Sequence, residues 1–197
     1  MDPDTLAAGR PPEQEGDIYV TTWIGTKPSL RPDVTLVGVL NTDALVRRPD
    51  FRAGEHAYQA LAAMAEWAGP ARDGGRLIIQ TSDPGHHSIQ AVVRADYRFW
   101  LRRELDERRE LGYPPFAELV TVTAWGPNRD ERAGAVAEAC RRAGGRVLGP
   151  VPVRGQDEPA VEMLVKCPDA TRVAEGLRPL VAGSSARDRL RVEVDPR

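Results

Sequence analysis

Arginine is the residue type with the most to offer a ligand in this sequence. Of its 27 basic residues, only Lys27 and Lys166 are lysines. Arg98, Arg102, Arg103, Arg108 and Arg109 crowd one stretch, and Arg141, Arg142, Arg146 and Arg154 form a looser group further on. A guanidinium presents a planar fork of donors that matches a phosphate, so either group has the composition of a DNA-binding stripe that tracks a backbone. Asp106, Glu107 and Glu110 interleave with the first group, however, and Glu104 and Arg108 stand at the favourable i,i+4 spacing. That face therefore reads first as solvated and self-paired, and second as a phosphate contact. Tyr113 and Phe116 flank Pro114-Pro115. They either stack on a base or, the commoner use, pack a hinge against a neighbouring core.

Other chemistries find little footing. The three histidines are His56, His86 and His87. A metal site needs three or four convergent ligands and a triad needs a paired nucleophile, so they read as structural, with His86-His87 near Asp83 suited to capping a following helix. Cys140 and Cys167 stand far apart with no CxxC, which argues against zinc and against a disulfide scaffold. Reduced and cytoplasmic is the expected setting, with no metal, cofactor or membrane. A net charge of -2 gives no bulk drive toward nucleic acid, so any DNA contact must be a local patch. No G-x-x-x-x-G-K-[ST] phosphate loop occurs. Gly25-Thr26-Lys27 supplies a Gly and a Lys without the loop of backbone donors.

The elements that would position these residues follow from periodicity. Residues 1–16 are polar and rich in Pro and Gly, without the apolar region of a signal peptide, and read as a disordered lead-in. A short β-rich run falls at 17–23. The nearly continuous apolar run at 34–40 is the pattern of a strand buried on both faces. Phe51, Tyr58, Leu61, Met64 and Ala65 recur at helical spacing over 52–68, and Gly69-Pro70 ends that helix. The turn Asp73-Gly74-Gly75 leads into a strand at 76–81, so the first part alternates as a parallel α/β layer. Residues 86–111 read as helix for most of their length, with Tyr97, Trp100, Leu101, Leu105 and Leu111 as one apolar stripe. Pro114-Pro115 prevents its continuation. Strands at 118–124, 146–149, 161–166 and 190–194, with helices at 129–143 and 169–181, give the order β-α-β-β-α-β, the ferredoxin-like arrangement. The fold class is α/β.

Several stretches carry a family resemblance. Residues 104–116, from Glu104-Leu105 to Leu111-Gly112-Tyr113-Pro114-Pro115-Phe116, resemble the "REL..R..LGYPPF" stretch of the PriA family of primosomal replication-restart helicases. Upstream, Ile79-Gln80-Thr81, Pro84, His86, Ile89-Gln90, Asp96-Tyr97 and Phe99 are similar to "IQT..P.H..IQ.....DY..F". Residues 32–40 and 49–55 resemble "PNVTLVGVL" and "PDFRAGE". Downstream, Val147-Leu148-Gly149-Pro150-Val151-Pro152 is similar to "VLGPAP", and Val192-Glu193-Val194-Asp195-Pro196 to a terminal "I.VDP". The resemblance runs in one order over residues 17 to 196.

It implies a division into residues 1–16 (lead-in), 17–92 (remnant of helicase lobe two), 93–116 (linker helix and Pro-rich hinge) and 117–197 (C-terminal domain). It also exposes departures. The family's "GTQMIAKGHDF" falls on residues 21–31, where Thr22 and Lys27 remain as degenerate ATP-site remnants. "QVAGRAGR" falls on 63–70, where Trp67 and Pro70 replace two arginines and Ala63 replaces the Gln. An arginine finger is worth roughly 10³–10⁵ in rate, and neither Trp nor Pro carries its charge. The family's zinc cysteines are absent, and its basic-aromatic stretch after "VLGPAP" is replaced by the acidic Gln156-Asp157-Glu158-Pro159. The resemblance thus implies a non-catalytic role in replication restart. Forked or single-stranded DNA is the implied ligand, and single-strand-binding protein and other primosome proteins are the implied partners. Arg102, Arg103, Arg108, Arg109, Arg141, Arg142, Arg146 and Arg154 are the candidate DNA contacts, with no catalytic residue. Two rival readings are the second subunit of a split ATP-dependent helicase, and a protein-interaction module that does not bind DNA.

Overall fold

The computed structural model describes residues 18–22, 34–155, 158–185 and 187–195. The lead-in at 1–16, Lys27 and most of the degenerate stretch at 21–31 lie outside them. The chain divides into two compact units between Leu105 and Asp106.

In the first unit, strand β1 (Leu36–Val39) pairs in parallel with β2 (Arg76–Ile79), in register from Leu36 opposite Arg76 to Val39 opposite Ile79. Between them run a short helix α1 (Asp43–Val46), helix α2 (Ala53–Ala68) and a 3-10 turn (Ala71–Asp73). The parallel α/β layer read from the sequence is present. The turn into β2 needs glycine at 75, because a Cβ there would collide with the Ala68 and Gly69 carbonyls. Val39, Leu61 and Ile89 form a small core, flanked by Val37, Met64, Leu77, Ile79 and Val92. The expectation that the 34–40 run is buried on both faces does not hold. Alternation along a strand sends Val37 and Val39 to the helices and Leu36 and Leu40 the other way, where both are exposed, as is Ile78 on β2. The physical reason is that the two strands are covered from one side only among the described residues. Residues 18–22 form no strand.

The stretch read as one helix over 86–111 is two, α3 (His87–Val93) and α4 (Tyr97–Leu111). The break has a local cause. Ala95 takes a left-handed φ of 51°, and the Asp96 carboxylate accepts from the Phe99 amide at 2.9 Å, starting a new helix with its own cap.

The second unit holds β3 (Glu118–Trp125), α5 (Arg129–Arg142), β4 (Arg146–Pro152), β5 (Ala160–Cys167), α6 (Ala170–Ala182) and β6 (Arg189–Val194). All pairs are antiparallel and the strand order is β4-β5-β3-β6. This is the ferredoxin-like topology that the element order implied. Val120, Val122, Met163, Val165, Val136, Cys140, Val173 and Leu177 make the core between the sheet and helices α5 and α6. The Asp169 side chain caps α6 by accepting from the Arg172 amide at 3.1 Å.

Candidate nucleic-acid interface

The alternation that builds the second core also decides what lies on the sheet's opposite face. Val147 and Val165 turn to the helices, so their neighbours Arg146, Leu148, Leu164 and Lys166 turn away from them. Arg146 and Lys166 are cross-strand register partners, next to the pair Leu148–Leu164. Two cations thus stand side by side at one end of the β4–β5 edge.

The end of α4 and the hinge come to the same place. Gly112 closes the helix at φ 66°, with its amide to the Arg109 carbonyl at 3.3 Å and the Tyr113 amide to the Arg108 carbonyl at 2.8 Å, the paired bonds of a Schellman cap. The Lys166 ammonium donates to the Leu111 carbonyl at 2.8 Å and lies 3.3 Å from the Tyr113 ring centroid. A cation at a helix C-terminus and over an aromatic face is favoured twice, by the helix dipole and by the ring quadrupole. Arg109 stacks 4.4 Å over the Phe116 ring and pairs with Asp106 at 3.0 Å. Arg109, Arg146 and Lys166 line an open cleft of about 330 Å³, with Glu110 as the one acidic side chain among its lining residues.

The structure therefore brings Arg109 and Arg146 together, and adds Lys166, which the sequence reading missed. Its signal was there: it is one of only two lysines among the 27 basic residues. The other candidates are dispersed. Arg102 and Arg103 are exposed on α4 and make no hydrogen bond or ion pair among the described residues. Arg108 donates to the Pro114 carbonyl at 3.4 Å. Arg141 and Arg142 end α5, in the helix layer, and Arg142 meets Glu138 at 3.4 Å. Arg154 is exposed after β4. So Arg141 and Arg142 do not share the face from which Arg146 projects. At the far end of that face, Arg189 lies 5.5 Å over Trp125 and pairs with Glu158, and Arg191 pairs with Glu193.

The remaining chemical candidates have structural employment. His86 caps α3 by accepting from the Ser88 amide at 3.3 Å, as its position near Asp83 suggested. The rings of His86 and His87 stack at 4.7 Å, and the largely buried His87 bonds Glu104 at 3.0 Å. The sequence reading put Glu104 on a solvated face; the structure buries it. Thr22 lies outside any strand or helix, Trp67 is buried in the last turn of α2, and Pro70 opens the 3-10 turn. Asp43 accepts from the Thr81 hydroxyl at 2.7 Å and from the Ser82 hydroxyl at 2.8 Å and amide at 3.1 Å, which holds its carboxyl down at about 2. This ties α1 to the chain after β2. Burial pushes the Cys140 thiol up to about 11 and raises that of Cys167, so neither has the thiolate character of a nucleophile. Among the described residues no three His, Cys, Asp or Glu side chains gather to hold a metal, and no helix is long and apolar enough to cross a membrane.

Residues 109–197, the end of α4 and all of the β3–β6 unit, match the family model described as the Primosomal protein N C-terminal domain. A relative from Synechocystis sp., named Replication restart protein PriA, is 32% identical over 191 residues, covering 92% of this chain. The chain is similar to a C-terminal portion of PriA, and residues 109–197 match that family's C-terminal domain. A PriA from Bacillus subtilis is 40% identical over 111 residues, 56% of the chain, and one from Haemophilus influenzae 25% identical over 194 residues, 92% of the chain. The chain spans only 23% of the Synechocystis PriA, 14% of the Bacillus one and 27% of the Haemophilus one, so the match is to a portion of each.

Proposed function

We propose that this chain serves DNA replication restart by binding branched or single-stranded DNA without hydrolysing ATP. The match of residues 109–197 to the PriA C-terminal family carries the reading, since the relatives that share it are named replication restart proteins. Two physical observations support DNA as the ligand. Arg102, Arg103, Arg141, Arg146 and Arg154 have no ion pair among the described residues, and unpaired surface cations are what a phosphate backbone exchanges for its counterions. Arg109, Arg146 and Lys166 also converge on one cleft, which supplies the local patch that a net charge of -2 requires.

Two positions support the absence of hydrolysis: where the family holds arginines, this chain carries a buried Trp67 and Pro70. We take residues 1–16 as a lead-in, 17–92 as the remnant of helicase lobe two, 93–116 as linker helix and hinge, and 117–197 as the C-terminal domain. Single-strand-binding protein and other primosome proteins are the partners this role would need.

The test is to mix the purified chain with forked DNA and ATP, following binding by gel shift and phosphate release in the same samples. Binding with no release supports the reading. Release above background would favour a competent ATPase subunit, and absence of binding would favour a protein-interaction module.

A further inference from the structure

We propose that the cleft between the end of α4 and the β4–β5 edge seats a backbone phosphate of single-stranded nucleic acid between Arg146 and Lys166, with an adjacent base against Phe116. The inference rests on the DNA-binding reading above and narrows it to one place and one form of strand.

The starting observation is the pairing of like charges. Arg146 and Lys166 are direct cross-strand partners, an arrangement that destabilises a sheet by mutual repulsion. Arg146 makes no hydrogen bond or ion pair among the described residues, and Glu110 is the one acid lining the cleft against three cations. A phosphate between the two side chains turns the repulsion into two charge-assisted bonds.

Lys166 is prepared for this. An ammonium has three N–H donors. One is directed to the Leu111 carbonyl at 2.8 Å and the Tyr113 ring lies 3.3 Å away, so the long stem is already fixed and a donor remains. Binding then forfeits little side-chain entropy, which is the usual cost of recruiting a surface lysine. Arg146 supplies the forked donor set on the other side.

The form of the strand follows from Phe116. Phe116 keeps 40% exposure, with the Arg109 guanidinium over its ring at 4.4 Å. A cation-backed aromatic beside a phosphate site is the pairing that single-strand binders use, since every unpaired base offers a π face. A base inside a duplex has no face free for it. The cleft, about 330 Å³, lies within the range of pockets that take a small ligand, roughly 300–1,000 Å³, and so has room for a nucleotide.

The full chain is titrated into a short fluorescein-labelled thymidine oligomer, and into an abasic strand of equal length, with anisotropy followed over a salt series. Arg146→Gln, chosen because Arg146 contributes no bond to the fold, is expected to weaken oligomer binding several-fold. It should also flatten the slope of log affinity against log salt by about 0.7, the worth of one single-strand phosphate contact. Lys166→Met is expected to do the same. Phe116→Ala is expected to cost at least about fivefold on the thymidine oligomer and nothing on the abasic strand. Urea midpoints of the three variants identify any that fail to fold, and Arg146→Gln keeps the test open if Lys166→Met is one. Wild-type binding that Arg146→Gln leaves unchanged in affinity and slope overturns the cleft while sparing the DNA-binding reading. No wild-type binding at low salt overturns both.

Discussion

Removing either partner of the His87–Glu104 pair should unlatch the first unit. The two side chains are 10% and 7% exposed and meet at 3.0 Å. They tie α3 to α4, and α2 closes over them: a Cβ on Gly54 would come within 2.8 Å of the Glu104 carboxylate. Breaking a buried ion pair by deleting one member costs about 3–5 kcal/mol, and orphaning a buried neutral polar group about 1–3 kcal/mol. With both side chains nearly sealed, we expect Glu104→Leu and His87→Leu to cost about 3 kcal/mol each. Replacing both removes the contact they share only once, so the double substitution should fall short of the sum by about 2 kcal/mol. The assay is urea unfolding of the four proteins by tryptophan fluorescence. Trp100 and Trp67 report the first unit and Trp125 the second, so the data are fitted as two transitions. Single costs that add to within about 0.5 kcal/mol would refute the reasoning, because the pair would then not be acting as one.

Further expectations concern both units. Leu177 is fully buried in the core of the second unit, so Leu177→Ala should cost about 3 kcal/mol, seen as an earlier urea transition for Trp125 with that of the first unit unmoved. Gly126 holds a φ of 103°, and a Cβ there would strike the Arg187 carbonyl; Gly126→Ala should lower stability by about 3 kcal/mol, measured as the same transition. The Thr81 and Ser82 hydrogen bonds hold the folded pKa of Asp43 at about 2, below the ordinary aspartate value of 3.8. Its stabilisation is therefore present above 3.8 and lost as pH falls toward 2. The difference in urea midpoint between wild type and Asp43→Asn should shrink over that window, and a constant difference would contradict it.

Much of this fold was legible because its determinants are local. Apolar recurrence at Leu61 and Met64 marked α2, the glycines at 74 and 75 marked the entry to β2, and the alternation of apolar and polar positions marked the strands of the ferredoxin-like unit in their right order. Three features escaped because they are set elsewhere. The break at Ala95 depends on the Asp96 side chain outcompeting helix continuation across a stretch whose periodicity runs through it. The exposure of Leu36, Leu40 and Ile78 depends on how many layers cover the sheet, which an apolar run does not encode. The burial of Glu104 depends on His87 reaching it across seventeen residues of sequence. At the candidate site, Arg109 and Arg146 were visible as types. Lys166 became meaningful only when antiparallel register put it beside Arg146 and the helix cap brought Leu111 and Tyr113 to its ammonium.

The most direct test of the central claim is anisotropy of the intact chain on forked and single-stranded DNA across a salt series. The account predicts binding whose logarithm falls linearly with log salt, with a slope of roughly 0.7 for each phosphate engaged on a single strand. Affinity that is flat in salt, or no binding at the lowest salt, would contradict it.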